Sequence, residues 1–327
     1  LSKIINVQSS YTAADTLPIK VLLDNDLLNA TRNNKLIPIH IQFIPTNKCN
    51  LNCKYCSCAN RNKSEEIDFL IAKQIIDKCK KLGTKAVTLT GGGEPLIYPH
   101  ITDLIDYFHS YDIKIGLTTN GLLLDKIPYT TLSKVTWCRI SNDDYRKFTS
   151  SYSSMLERVI SNVDIDWAFS HVICNNYNIT EIGKIINFAN ENNFTHVRLV
   201  SDLLNLDDIN FNNIKKEINH LEIEDNKVIY QGRKDFTHGR ACYMPFIKPL
   251  IGPDAKIYAC CGVQYAFEEA TLDLPQELCL GEALNIDDII ERSNIPLDGN
   301  KCHKCYYDNY NILLKSLMQD VKHKEFM

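Results

Sequence analysis

The sequence predicts an α/β protein: a mostly parallel sheet followed by a smaller, cysteine-bearing C-terminal unit. Three observations carry this. Six short β-rich runs alternate with helical stretches between residues 39 and 200, and such alternation sets successive strands parallel with helices as crossovers. The rhythm weakens after residue 205. The 13 cysteines gather at 49–58 and 242–305, with Cys79, Cys138 and Cys174 isolated between the two groups.

Residues 1–38 form an N-terminal extension in which LPIKVLLDNDLL (17–28) reads as an irregular strand or short helix. IHIQFI (39–44) is the first strand and runs into a cysteine loop. EEIDFLIAKQIIDKCKKLG (65–83) is an amphipathic helix, with Ile67, Leu70, Ile71 and Ile75 on one stripe and Gly83 as its stop. KAVTLT (85–90) is the second strand and leads into three glycines. ITDLIDYFHSY (101–111) is helical, KIGLTTN (114–120) and KVTWCRIS (134–141) are strands, and SSMLERVISNV (153–163) is helical. Strand WAFSHVIC (167–174), helix ITEIGKIINFANEN (179–192) and strand THVRLV (195–200) complete the alternation. NFNNIKKEINHLEI (210–223) reads as a further helix. KVIYQG (227–232) and AKIYAC (255–260) read as strands of the C-terminal unit, and SLMQDVKHKEFM as a closing polar helix or tail. The expected division is 1–38, 39–224 and 225–327. Ligands of such sheets bind at the C-terminal strand ends. The cysteine loop, the glycines, Asn120, Ser141 and Cys174 all fall there.

Composition narrows the function. With 327 residues, 44% of them hydrophobic, the chain can bury a sizeable core. A net charge of -4 without a long basic tract gives no specific nucleic-acid signal. No apolar run reaches the roughly 18 residues that span a bilayer, and the start LSKIINVQSS lacks the apolar centre of a signal peptide. A cytoplasmic location is the default expectation, and there so many thiols point to metal binding or redox chemistry rather than disulfides.

CNLNCKYC (49–56) sets Cys49, Cys53 and Cys56 within eight residues. Three thiolates can hold three irons of a [4Fe–4S] cubane and leave the fourth iron open, the mark of a reactive site. Zinc is the alternative, with Cys58 or a distant residue as fourth ligand. TLTGGGEPLI (88–97) follows the second strand. Gly91, Gly92 and Gly93 strip side chains from one surface of a loop, so that a ligand can approach its backbone. Glu94 adds a carboxylate, and Pro95 stiffens the exit.

The pair CNLNCKYC (49–56) and GGGEP (91–95), in this order, resembles the radical S-adenosylmethionine (radical SAM) superfamily over roughly residues 38–200. The resemblance implies a partial (β/α)6, TIM-like barrel. It implies Cys49, Cys53 and Cys56 as ligands of a [4Fe–4S] cluster whose open iron binds S-adenosylmethionine, with Gly91, Gly92, Gly93 and Glu94 bordering that cofactor. Tyr55 stands where the family often has an aromatic near the adenine. RISNDD (139–144) is similar to the ribose-contacting segment, which makes Ser141 and Asp143 candidates and Asn142 an alternative. CNNYN (174–178) offers Asn175 or Asn178. Reduction of the bound pair would yield methionine and a 5′-deoxyadenosyl radical able to take hydrogen from an unactivated carbon, with the protein supplying orientation. An electron donor such as flavodoxin or ferredoxin is implied.

The C-terminal thiols resemble the auxiliary-cluster domain called twitch, the short form of the SPASM domain. Cys242, Cys260, Cys302 and Cys305 are the expected ligands of a second [4Fe–4S] cluster, with Cys261 or Cys279 as substitutes for Cys260. A rubredoxin-like iron or zinc site is the structural alternative. Cys261, Cys58 or Cys174 can otherwise donate hydrogen to a substrate radical, and Cys261 is the candidate catalytic residue. Arg139, Arg146, Arg198 and Arg240 are candidates for a substrate carboxylate or phosphate. Three functions follow: radical modification of a peptide or protein (epimerisation, thioether or crosslink formation), dehydrogenation of a small alcohol, sugar or aminocyclitol, or a non-enzymatic iron-sulfur or zinc interaction module. The glycine loop has no evident task in the last.

Overall fold

The computed structural model describes residues 19–59, 61–174, 176–202, 209–231, 241–263, 276–302, 305 and 307–323. The parallel sheet expected from the alternation is built from β1 (His40–Phe43), β2 (Ala86–Leu89), β3 (Lys114–Thr119), β4 (Trp137–Asp143), β5 (Asp166–Ile173), β6 (His196–Ser201) and β7 (Val228–Gln231), neighbours in chain order. Register ties the strand ends together: Leu89 pairs with Leu117, Thr119 with Ile140, and Ser141 with Ser170, which in turn pairs with Arg198. Helices cross between the strands: α2 (Phe69–Lys81), α3 (Ile101–Ser110), α4 (Tyr129–Leu132), α5 (Ser150–Ile160), α6 (Ile179–Glu191) and α7 (Phe211–His220), after an N-terminal α1 (Asn25–Arg32). The architecture is a partial TIM-like α/β barrel.

Local chemistry explains where these helices begin. Asp68 caps α2, accepting from Leu70 N at 2.8 Å and Ile71 N at 3.0 Å, and Lys78, Lys80 and Lys81 sit at its negative end. The buried face is Ala72, Ile75, Ile76 and Cys79, whereas Leu70 is 66% exposed. The stripe counted from Ile67 is therefore corrected: Ile67 precedes the cap, and helical phase cannot be carried across a residue in extended conformation. Asn178 caps α6 through Thr180 N and Glu181 N, which commits its side-chain oxygen to the helix rather than to a ribose. Of the segment read at 17–28, residues 19–23 and 25–28 are helical, with Asp24 capping α1. Behind the sheet, Phe169 stacks on Phe194 at 4.6 Å, with Phe188 edge-on to both rings.

The C-terminal unit is joined to the barrel at both edges. KVIYQG supplies β7, which pairs in parallel with β6. On the other edge β9 (Leu250–Ile251) pairs in parallel with β1, and β10 (Lys256–Tyr258) and β11 (Cys279–Glu282) continue antiparallel from it. The main sheet thus has ten strands among the described residues. A small second sheet joins β8 (Ala241–Cys242) to β12 (Leu297–Asp298). The last helix among the described residues, Asp308–Leu317, ends just inside the segment from residue 316 expected to be a polar helix or tail, and its buried Asn311 accepts from Tyr243 N at 2.8 Å.

Candidate active site

One cavity of about 520 Å³ opens at the C-terminal ends of the strands. Cys49, Cys53 and Cys56 line it together with Gly91, Gly92, Gly93 and Glu94, so the two sequence motifs meet on a single wall. The cysteine loop is folded by short turns, Cys56 N to Cys53 O at 3.2 Å and Ala59 N to Cys56 O at 3.1 Å. Arg61, a residue that motif reading passed over, staples it. Its Nε donates to Asn47 O at 2.6 Å, before the loop, and its Nη1 to Cys58 O, after it. Nη1 also reaches Cys56 Sγ at 3.7 Å.

The thiols of this loop are not equivalent. A hydrogen bond from Cys58 and the Arg61 charge bring Cys56 down to about 6, against the opposing effect of burial. Its donor Cys58 is held above the ordinary thiol range by that same bond and by burial. Burial, with Asp143 nearby, pushes the Cys53 thiol up. Cys58 is 8% exposed and spends its proton on Cys56.

The glycines serve a purpose beyond the one read from sequence. Their φ angles are not left-handed, so space alone demands them. A Cβ on Gly92 would overlap Asn47 Oδ1, one on Gly93 would overlap Lys48 O, and one on Gly91 would overlap Gly93 O. The bare loop is what lets β2's exit lie directly on the segment entering Cys49, with Gly93 N donating to Thr46 O at 3.0 Å and Glu94 N to Lys48 O at 2.8 Å.

Glu94 lines the cavity, yet its carboxylate is occupied. Oε1 accepts from Thr119 Oγ1 at 2.6 Å and Leu96 N at 3.1 Å, and Oε2 accepts from Asn120 N at 2.7 Å. It is 3% exposed, and burial holds its carboxyl above the usual range. Asn120 extends the same network, its Nδ2 donating to Asn50 Oδ1 at 2.7 Å. Tyr55 donates from its hydroxyl to Asp143 Oδ2 at 3.2 Å and so ties the cysteine loop to the end of β4. Asp143, expected at a ribose, is 1% exposed and enclosed by Tyr55, Tyr145 N and Arg146 Nε. Ser141 does line the cavity, whereas the 2%-exposed Asn142 points off its wall by strand alternation. Asn175 and Arg240 lie outside the described residues.

The C-terminal thiols form a second group. Cys242 feels Cys305 and Cys302, Cys260 feels Cys242 and Cys302, and Cys302 feels Cys305. Burial, with these neighbours, pushes Cys242 up to about 12 and Cys302 up to about 11. Cys279 and Cys260 pack with Leu297 and Cys302 against the small core of Leu250, Tyr258 and Leu278. Cys261 faces the active-site cavity instead, its Sγ 2.8 Å from the Tyr307 hydroxyl. Cys58 shares that cavity, whereas Cys174 is buried outside it. Among the described residues no three Cys, His, Asp or Glu side chains are set around a single metal ion.

The donor set fits a cluster that takes three protein thiolates: three thiols on one wall, one of them inclined to ionise, beside a loop stripped of side chains. Cys49, Cys53 and Cys56 would hold a [4Fe–4S] cluster, which with S-adenosylmethionine bound would supply reductive generation of a carbon radical.

Comparison with known proteins agrees with this geometry. Residues 43–141 match the family described as the radical SAM superfamily. The GTP 3′,8-cyclase of Clostridium perfringens strain 13 is 30% identical over 171 residues, covering 47% of this chain and 52% of that protein. The chain thus spans about half the length of the curated relatives it matches first. In fold it is similar to SuiB of Streptococcus suis bound to its precursor peptide SuiA, at 15% identity and a TM-score of 0.58, covering 91% of this chain and 71% of that one. It is also similar in fold to anSMEcpe with bound AdoMet and the Cp18Cys peptide, at 12% identity and a TM-score of 0.53, covering 88% and 85%. The matched residues 43–141 carry both the three-thiol loop and the glycine loop, so it is this stretch of the chain that is similar to the radical SAM superfamily.

Proposed function

We propose that the protein cleaves S-adenosylmethionine reductively and uses the resulting radical to remove hydrogen from an unactivated carbon of a peptide or protein substrate. The observation that carries this reading is the meeting of Cys49, Cys53 and Cys56 with the glycine loop on one wall of a cavity that continues past them to Arg139, Arg198 and Cys261. Ser141, Arg146 and the backbone of residues 91–94 orient the cofactor. Support for a peptide substrate comes from SuiB and anSMEcpe, both crystallised with peptides. A small-molecule substrate is the second reading, favoured by the relatives named GTP 3′,8-cyclase.

In this reading Cys242, Cys260, Cys302 and Cys305 hold a second [4Fe–4S] cluster, a flavodoxin or ferredoxin delivers electrons, and the cytoplasm keeps the thiols reduced. No helix among the described residues is long and apolar enough to cross a membrane. Anaerobic reconstitution should load about eight irons per chain, and dithionite should then release 5′-deoxyadenosine. Four irons would remove the second cluster, and intact S-adenosylmethionine with both clusters verified and substrate present would remove the radical reaction.

Cys261 is the hydrogen donor of a redox-neutral outcome. Its S–H bond breaks as a C–H bond forms on the substrate radical, and one electron from the flavodoxin or ferredoxin plus one proton restores the thiol. The Tyr307 hydroxyl holds the sulfur in the cavity. Cys261→Ala is expected to keep 5′-deoxyadenosine release and to lose incorporation of solvent deuterium into the product. Unchanged incorporation would assign the donation to another group.

A further inference from the structure

The floor of the cavity is built from residues that neither motif uses. Trp137 opens β4 and faces Gly116 of β3, where a Cβ would overlap its ring. The bare Gly116 makes room for the indole. Arg139, two residues on and therefore on the same face, lays its guanidinium 5.4 Å from the indole centroid. It donates from Nη2 to Thr118 Oγ1 at 3.4 Å. Arg198 enters the same cavity from β6. Its Nη2 donates to Gln231 Oε1, and its Nε is buried with no partner. In the register Ala168 of β5 lies beside Arg139 and Ser170 beside Arg198, so only small side chains stand between the two strands at this level.

Among the described residues no carboxylate pairs with either guanidinium: the arginine ion pairs are those of Arg146 and Arg158. Burial lowers Arg139 and brings Arg198 down to about 9, with the charge of Arg139 adding to the effect on Arg198. His196, two residues before Arg198 on β6, is brought down to about 3 by burial and by both arginines, so it adds no third charge near neutrality. Two half-buried cations lining one cavity repel each other unless an anion joins them. Each guanidinium carries five N–H donors, and the bonds above use one on each. Planar donors in excess, unpaired charge and open space between them are the requirements of bidentate oxyanion recognition.

We infer that Arg139 and Arg198 together bind an oxyanion of the substrate, a carboxylate or a phosphate, at the floor of the cavity. This rests on the reading of the cavity as the substrate chamber of a radical enzyme. The anion is distinct from the carboxylate of S-adenosylmethionine, because the two arginines stand on the barrel floor and Arg146 already serves the rim beside Ser141. An acidic side chain or C-terminus of a peptide would supply a carboxylate, and a phosphorylated metabolite would supply a phosphate.

The test is calorimetric titration of the anaerobically reconstituted enzyme with inorganic phosphate and, separately, with glutarate. Wild type is expected to bind at least one probe saturably, and the tighter probe reports the source of the anion. Arg139→Met and Arg198→Met are each expected to weaken that binding at least about tenfold, the loss of a charge-assisted hydrogen bond. Arg198→Lys is expected to recover part of it. Affinity for S-adenosylmethionine should stay within about twofold of wild type, since cofactor contacts are untouched. Without any probe, Arg198→Met is expected to raise Tm by about 2 °C, because the repulsion of Arg139 by a second unpaired charge is gone; a purely structural arginine would lower it. Absence of saturable binding, equal binding by wild type and both Met variants, or parallel loss of S-adenosylmethionine affinity would each overturn the inference. Release of 5′-deoxyadenosine by the same wild-type preparation reports separately on the radical reaction, so failure of one reading is not mistaken for failure of the other.

Discussion

Cys53→Ala is expected to lower 5′-deoxyadenosine release by more than about 10²-fold and to halve the iron content of the reconstituted protein. Replacing residues that merely orient metal ligands typically costs about 10- to 100-fold, and Cys53 is proposed as a ligand itself. The loop should survive the change, because its shape rests on other contacts. Arg61 still bridges Asn47 O and Cys58 O, and Tyr55 still reaches Asp143. Circular dichroism and Tm should therefore stay near wild type while iron and turnover fall. Cys58→Ala is the matched control. Cys58 donates to Cys56 without standing among the proposed ligands, so iron should be retained and turnover should fall by no more than about 10²-fold. Equal loss of iron in both variants would make Cys58 a ligand and revive the zinc reading.

Glu94→Ala is expected to destabilise the fold by about 3 kcal/mol, because three buried donors lose their acceptor at about 1 kcal/mol or more each. Those donors are Thr119 Oγ1, Leu96 N and Asn120 N. For a chain of this size the corresponding fall in Tm is about 4 °C, readable by calorimetry. Glu94→Gln keeps one carbonyl acceptor and should fall between wild type and Glu94→Ala. Affinity for S-adenosylmethionine should weaken in the same order, since Glu94 is what pins the glycine loop to the end of β3. A Tm equal to wild type in Glu94→Ala would show that the network is replaced by water, and the proposed clamp would fail.

The residues of the site were legible to different depths. Cys49, Cys53 and Cys56 could be read directly, because a ligand loop concentrates its donors within a few residues and needs no distant partner to define it. Gly91, Gly92 and Gly93 were legible as residues but not in their full reason. The atoms their missing side chains would strike belong largely to Asn47 and Lys48, more than 40 positions earlier. Asp143 was legible as a polar strand end, yet its partner Tyr55 lies 88 residues away, and that contact turns a ribose candidate into an anchor. Arg61 carried no motif signal at all. Its importance comes from reaching both ends of a loop whose path is set in three dimensions.

The same division runs through the fold. Alternating periodicity determined the parallel α/β core and its crossover helices, because side-chain burial in strands and helices repeats over a few residues. Capping carboxylates and amides such as Asp68 and Asn178 determined where helices start, again through bonds to donors two or three residues on. Only the tertiary structure decided the edges: β7 joins β6 and β9 joins β1, which carries Cys279 on β11 into the main sheet while Cys242 sits on the small β8–β12 sheet. It also brought Arg139 and Arg198 into one cavity with Cys261. Strand pairing and cavity formation depend on groups far apart in the chain, so their energy is spread over contacts that no local window contains.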